Sequence, residues 1–249
     1  MQKFQRTELL LGKSFLQLAS QTKVILFGIG GVGSWCAEAL IRAGVGNLTI
    51  VDSDVVNETN INRQILATTK TIGQAKTEVL KERLLEINPQ ANVNALQMIF
   101  CEETCDYFDL KSYDYIVDAI DSLSNKAYLI QQASKTDAIL FSSMGAALKT
   151  DPTRVKVNEF WKVHGCPLAS ALRRTIRKTG GVEKKFLCVF SDEIFENKGE
   201  DIVIDKTKDS QSWDTKKVKI NGTVSYMPAM FGLTLSALIT QSLIEKLHY

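Results

Sequence analysis

Apolar residues recur along this chain with two different periods. Between Gln5 and Ser20 they fall at helical spacing, with Leu9, Leu10, Phe15, Leu16 and Leu18 supplying an apolar side. The run Val24-Ile25-Leu26-Phe27 then reads as a buried strand. A helix is expected from about Ser34 to Ala43, ended by Gly44 and Gly46, and Leu48-Thr49-Ile50-Val51 reads as the second strand. Residues 53–73 follow neither period, which is long for a connection between a strand and a helix. An amphipathic helix is predicted over residues 74–87 through Val79, Leu80, Leu84 and Ile87, and Asn88-Pro89 stops it. Val93 to Ile99 reads as a strand, as does Tyr113 to Ile120, the latter buried on both faces. This alternation predicts an α/β fold with a doubly wound, mainly parallel sheet, Rossmann-like, through about residue 145.

Past Asp151-Pro152 the pattern changes. Arg154 to Val157 alternates like a half-exposed strand, and Phe186 to Ser191 looks like another. Glu196 to Lys219 is charged and poor in apolar residues, so a mobile surface loop is expected. The most apolar stretch, Met227 to Thr240, falls short of the ~20 residues that a bilayer requires and contains Pro228 and Gly232. A buried helix is the expectation rather than an integral membrane span, with loose membrane attachment as the lesser alternative. No internal repeat or clear linker divides the chain. Residues 1–249 are expected to form one domain, with 151–249 as a substrate-binding C-terminal elaboration.

Composition adds bounds rather than direction. With 249 residues, 45% apolar and 23% charged, the chain reads as an ordinary soluble protein, and its formal charge of +2 selects no partner. The N-terminus carries Lys3, Arg6 and Glu8 where a secretory leader would need an apolar core. The five cysteines (Cys36, Cys101, Cys105, Cys166 and Cys188) are irregularly spaced and are read as reduced thiols in a cytoplasmic compartment. There is no Cys-x-x-Cys pair and there are two histidines, so structural zinc is not expected.

The chemistry begins at Gly28-Ile29-Gly30-Gly31-Val32-Gly33, directly after the first strand. Such a turn lets backbone N–H groups approach a phosphate at a helix N-terminus, and Asp52 at the tip of the second strand is placed to accept hydrogen bonds from a ribose. Three further features bear on which nucleotide chemistry is at work. Arg63, in Asn60-Ile61-Asn62-Arg63-Gln64, can present a fork of donors to transferring phosphates; the alternative is a solvated loop arginine. Lys76, at the start of the next helix, opposes the helix dipole unless an anion lies nearby; the alternative is an ordinary surface lysine. Asp118 and Asp121 close a buried strand, where burying two carboxylates is costly unless a cation or hydrogen-bond donors compensate, Mg²⁺ being a natural solution; the alternative is Asp121 as a helix N-cap. Together these residues describe a site where the glycine turn and Asp52 hold a nucleoside, Arg63 and Lys76 hold phosphates, and Asp121 holds Mg²⁺.

That set resembles the E1-like adenylating superfamily, which includes the ThiF and MoeB proteins and the ubiquitin-activating enzymes. The resemblance implies attack by a carboxylate on the α-phosphate of ATP, with Arg63 and Lys76 stabilising the transition state and Asp121 positioning the metal. It extends the nucleotide-binding set to Asp54, Asn60, Gln64, Asp118 and Ser122. It also suggests that Arg6 reaches into a partner's site within a homodimer. The branch that activates sulfur-carrier proteins usually has two Cys-x-x-Cys pairs, which are lacking here. Instead Arg6 to Gly12, Gly28 to Trp35, Asn60 to Gln64, Asp118 to Ser122, Asp151-Pro152-Thr153, Pro167-Leu168-Ala169 and Cys188 to Ser191 resemble the tRNA threonylcarbamoyladenosine dehydratases. The implied reaction is ATP-dependent cyclisation of t6A at position 37 of tRNA with loss of water, with tRNA and sulfur-transfer proteins as candidate partners. Adenylation of a sulfur-carrier or ubiquitin-like protein is the alternative. A nucleotide-binding adaptor and hydride transfer on NAD are the more distant ones.

One feature suits an RNA partner independently. From Trp161 to Lys185 the basic residues Lys162, Arg173, Arg174, Arg177, Lys178, Lys184 and Lys185 stand against a single acid, Glu183, seven against one and a net of +6. Arg173, Arg174, Arg177 and Lys178 could share one side of a helix, and Trp161 and Trp213 are candidates for stacking on bases. The alternative is a solvated basic face. Cys188 lies in one of these motifs and reads as a buried core thiol, a reactive thiol being the alternative.

Overall fold

A computed structural model describes residues 2–200 and 220–247. Seven strands form one sheet: β1 (Lys23–Phe27), β2 (Asn47–Val51), β3 (Asn92–Leu96), β4 (Tyr115–Asp118), β5 (Ile139–Ser143), β6 (Val155–Glu159) and β7 (Leu187–Ser191). Their order is β3-β2-β1-β4-β5-β7-β6, with every neighbouring pair parallel except β6 against β7. The helices are α1 (Gln5–Leu11), α2 (Lys13–Gln21), α3 (Gly33–Ala43), α4 (Lys76–Ile87), α5 (Leu123–Ser134), α6 (Pro167–Lys178) and α7 (Tyr226–Leu247).

The period of two sorts each strand's side chains to opposite faces. Val24 and Leu26 join a core with α2, α3, α4 and α7, whereas Ile25 and Phe27 join a second core with α5 and α6. On that second face Phe27 meets Phe100 and Phe108 edge-on, with ring centroids 5.0 and 5.3 Å apart. The expected mainly parallel, doubly wound sheet is the observed architecture, and the two C-terminal strands extend the same sheet.

Three expectations need correction. The single N-terminal helix is two, because Gly12 adopts φ +85° between α1 and α2. Leu9 and Leu10 of α1 are 80% and 81% exposed, so the apolar side that packs is α2's, through Phe15 and Ala19. The final helix, at 22 residues, is long and apolar enough to cross a membrane by length and composition. Its burial, not its length, is what fits it to a core: Met227, Phe231, Leu235, Ile239 and Leu243 face inward at i, i+4 spacing. Residues 201–219 of the expected surface loop lie outside the described residues.

Helix α7 crosses α3 so closely at Gly232 that a Cβ there would sit 2.3 Å from the Val32 carbonyl oxygen and 2.9 Å from the Cys36 nitrogen. Both neighbours are backbone and cannot swing aside. Gly232→Ala is therefore expected to destabilise the protein by about 1–3 kcal/mol, read as a lower denaturant midpoint. An unchanged midpoint would mean that the two helices separate without cost.

Candidate nucleotide site

Strand order reverses between β1 and β4, and open α/β sheets bind their ligands in the crevice beyond the C-terminal strand ends at such a switch point. The turn after β1 lines it. Gly28 has φ +81°, donates its N–H to the Val51 carbonyl (2.8 Å), and a Cβ on it would lie 2.7 Å from the Ala119 carbonyl oxygen in the turn after β4. Gly33 opens α3, and its Cβ would fall 1.8 Å from the Gly28 oxygen. These two glycines are dictated by packing. Gly30 differs: a Cβ there would meet only the Gln64 Nε2 at 3.7 Å, whereas one on Gly31 would meet the Pro228 Cβ at 3.0 Å and the Arg63 stem at 3.3 Å. The turn thus leaves room over Gly30 at the N-terminus of α3, where backbone N–H groups bind phosphate.

Gln64 adds independent support. It is 5% exposed, and its Oε1 is buried without a hydrogen-bond partner among the described residues. A buried acceptor left unmet is costly and suits a ligand that brings a donor. The residues present therefore fit a nucleotide.

Asp52 accepts the Ile29 N–H on one oxygen (2.8 Å) and the Asp54 N–H on the other (3.0 Å), so it first of all shapes the glycine turn. Burial pushes its pKa up, with Lys76 and the two N–H donors opposing. Its remaining lone pairs can accept from a ribose. Lys76 opens α4, is 5% exposed, and contacts Asp54 at 2.7 Å and Asp52 at 3.9 Å. Those carboxylates answer the unfavourable helix dipole. Arg63 gives one terminal nitrogen to the Thr59 carbonyl (2.9 Å) and the Asn62 Oδ1 (3.0 Å). Burial lowers its pKa, and the negative charge of Asp121 opposes that fall, so Asp121 lies within electrostatic reach of Arg63. Asn60 is spent on its own loop, where its side chain accepts from the Asn57 N–H within a capping box.

The two carboxylates after β4 have opposite fates. Only Asp118 is buried, and its oxygens are saturated by Lys126 (2.8 Å), the Ser142 hydroxyl (2.6 Å) and the Ile120 N–H (3.1 Å). It holds the turn rather than a ligand. Asp121 is exposed, and the N-cap of α5 is the next residue, Ser122. Among the described residues no group of three or more His, Cys, Asp and Glu side chains gathers to hold a metal, so a cation here would rest on Asp121 and on phosphates.

The basic segment is also divided. Arg173 turns inward over Phe160 and donates to the Phe160 and Val163 carbonyls (3.2 and 2.8 Å), and Lys184 donates to the Thr136 and Ala138 carbonyls. These two brace the fold, which corrects the expectation of a single four-residue basic face. Arg174, Arg177, Lys178 and Lys185 remain exposed, with Arg177 5.1 Å over the Trp161 ring. Trp213 lies outside the described residues. Cys188 is fully buried, and burial pushes its thiol far above the ordinary value.

Sequence reasoning missed Lys126, which is fully buried beside Asp118. Its one available signal was a lysine at i+8 from Asp118, too weak to single out. Removing one partner of such a pair costs about 3–5 kcal/mol. Lys126→Met should lower stability by about that amount in chemical denaturation, and the double variant with Asp118→Asn should recover part of it. Equal losses that simply add would show that the pair is not coupled.

Fold and site define an α/β nucleotide-binding protein with a glycine-rich phosphate turn at the sheet's switch point. The chain belongs to the ThiF family, whose model matches residues 4–248. It is 38% identical, over 98% of its length and 96% of the relative's, to a tRNA threonylcarbamoyladenosine dehydratase of Bacillus subtilis. It is 39% identical to the protein of that name in Escherichia coli, over 77% of this chain and 74% of that one. The solved structure of the Escherichia coli enzyme in complex with ATP superposes with a TM-score of 0.86 at 32% identity, covering 99% of this chain and 96% of that one.

Proposed function

We propose that this protein catalyses the ATP-dependent cyclisation of N6-threonylcarbamoyladenosine at position 37 of tRNA, with loss of water. The observation that carries this reading is the extent of the likeness. The tRNA dehydratase of Bacillus subtilis matches over 98% of the chain, whereas a probable molybdopterin-synthase adenylyltransferase, at 31% identity, matches over 49%. Residues outside the shared nucleotide region thus follow the tRNA-modifying relatives.

In this reading ATP is a co-substrate. A threonyl carboxylate oxygen displaces pyrophosphate at the α-phosphorus, and ring closure by the ureido group then expels AMP, which carries away the oxygen lost as water. The protein's part is positioning and charge. Backbone N–H groups at Gly30, Gly31 and the start of α3 cradle phosphate, and Asp52 and Gln64 hold the nucleoside. Arg63 and Lys76 meet the charge that develops as pyrophosphate leaves. Asp121 would hold Mg²⁺ together with the phosphates, supplying further charge neutralisation. Arg174, Arg177, Lys178 and Lys185 offer a surface for the tRNA backbone. Arg6 lies three and four residues before the exposed Leu9 and Leu10 on α1, which supports a homodimer in which Arg6 serves the partner's site.

Nucleoside mass spectrometry of t6A-containing tRNA incubated with ATP and Mg²⁺ should show t6A converted to a product lighter by one water. Arg63→Ala should reduce that turnover by about 10²–10³-fold, as loss of a transition-state donor does. Absence of the product from the wild-type reaction, with pyrophosphate exchange stimulated instead by a carrier protein, would overturn the assignment. tRNA affinity should also fall with salt. Neutralising Arg174, Lys178 and Lys185 should flatten the log–log slope by about 0.7–0.9 for each phosphate left without its cation. An unchanged slope would remove α6 from the docking surface.

A further inference from the structure

The loop that follows β5 carries a cation that the nucleotide site does not use. Lys149 is 4% exposed, and among the described residues its ammonium has one hydrogen-bond acceptor, the main-chain carbonyl of Glu193 at 2.7 Å. The carboxylates around it are engaged elsewhere. Glu193 accepts the Thr150 N–H and hydroxyl (both 2.8 Å) and the Asp151 N–H (2.9 Å). Asp192 takes Arg154 at 2.8 Å and Lys156 at 2.7 Å. Burial accordingly holds Lys149 below the ordinary lysine value, against the pull of Cys166, Glu193 and Asp192. A desolvated ammonium resting on a neutral carbonyl is an unfavourable arrangement, and an arriving anion would relieve it.

The surroundings fix where that anion comes from. Leu148, the residue before, is the one non-glycine with positive φ (+56°) among the described residues, and its N–H donates to the Gly222 carbonyl (2.9 Å). The next carbonyl along, that of Thr223, accepts from the side chain of Asn62 (3.2 Å), whose Oδ1 in turn receives Arg63. Three residues further, the Tyr226 hydroxyl donates to the Thr150 carbonyl (2.9 Å). The segment 222–226 therefore fastens the Lys149 loop against the Arg63 loop, with adjacent peptides gripping the two. Both loops lie beyond the C-terminal ends of their strands, on the side where open α/β sheets bind ligands. The motif Asp151-Pro152-Thr153 now has a structural use: with Thr150 it docks on the Glu193 carboxylate and keeps that carboxylate from pairing with Lys149.

We propose that Lys149 is the seat of the substrate's own carboxylate, that of the threonylcarbamoyl group, in the loop that residues 222–226 fasten to the Arg63 loop. This rests on the functional reading above. One carboxylate oxygen meets the ammonium, and the other is left to face the side of the crevice where Arg63 lies. Lys149 then recognises the modification itself, because unmodified adenosine offers no anion to it, while the exposed cations of α6 meet the nucleic-acid backbone whatever base stands at that position.

The test compares wild type, Lys149→Met and Lys149→Arg in binding to t6A-containing tRNA and to the same tRNA with unmodified adenosine, alongside KM for tRNA and for ATP. Wild type should prefer the modified tRNA by about 10- to 100-fold, the worth of a hydrogen bond to a charged group. Lys149→Met should abolish that preference and raise KM for t6A tRNA by a similar factor, leaving KM for ATP and affinity for unmodified tRNA within about twofold. Its melting temperature should be unchanged or higher, since a buried ammonium held by a neutral carbonyl is replaced by an apolar chain of similar length. Lys149→Arg should keep part of the preference. A methionine variant that still discriminates overturns the proposal, and so does one that loses affinity for both tRNAs equally, which would mark a phosphate contact. If the methionine variant does not fold, Lys149→Gln decides by the same readings. A wild-type enzyme that forms no cyclic product fails the functional reading instead, before any variant is compared.

Discussion

The buried Asp118–Lys126 pair is the contact on which the site is built. Asp118 ends β4 facing the α5–α6 side of the sheet, where a lone carboxylate would be prohibitively costly. Lys126 from α5, Ser142 from β5 and the Ile120 N–H satisfy it together, and Lys126 also donates to the Ile120 carbonyl (2.9 Å). One carboxylate thereby joins two strands, a helix and the turn between β4 and α5. That turn then does two things at once. Its Ala119 carbonyl leaves no room for a side chain at Gly28, and its Asp121 comes within electrostatic reach of Arg63. The glycine turn and the Asp121 carboxylate are thus placed by the same buried charge.

The ionisable groups of the site already lie within contact or electrostatic reach of one another. Lys76 rests on Asp54 and Asp52, and Arg63 feels Asp121. Pre-pairing lets these cations sit half-buried or buried without a ligand. In the proposed reaction they would exchange those partners for phosphates, and because backbone and side-chain acceptors already hold them, the exchange would need little movement, the condition for effective charge stabilisation. Asp52 shows the economy of the arrangement: its two N–H acceptor contacts shape the glycine turn, and its remaining lone pairs are left for a ribose.

The parts legible in the sequence are those with a local signature. Strand β1, the glycine turn, α3 and β2 follow from apolar runs, backbone demands and end signals within some thirty residues. Arg63, Lys76 and Asp121 were visible because a long polar loop, a cation at a helix start and an acid at a strand end each break a local rule. What stayed hidden depends on register between distant segments. Lys126 looks like any helical lysine until β4 places Asp118 beside it, and Lys149 like any loop lysine until β7 brings Glu193 and Asp192 alongside. The same limit explains the basic segment. Helical spacing groups Arg173 with Arg174 and Arg177, but only the fold shows Phe160 and Val163 carbonyls waiting beneath Arg173.

The C-terminal half is less an addition to the nucleotide domain than its far wall. Strands β7 and β6 continue the sheet past β5, and α7 returns to pack on α3, the helix that carries the phosphate turn. Pro228 at its start touches Gly31, while the residues just before it bond to Asn62 on one side and Leu148 on the other. Any shift of α7 along α3 would therefore move the floor under Gly31, the residue that orients Arg63 and the loop bearing Lys149 together. The proposed reaction, which would bring an acid from a large substrate to a phosphorus atom, gains from this design, because the two loops are fastened to one segment. The close crossing at Gly232 is what makes that linkage stiff.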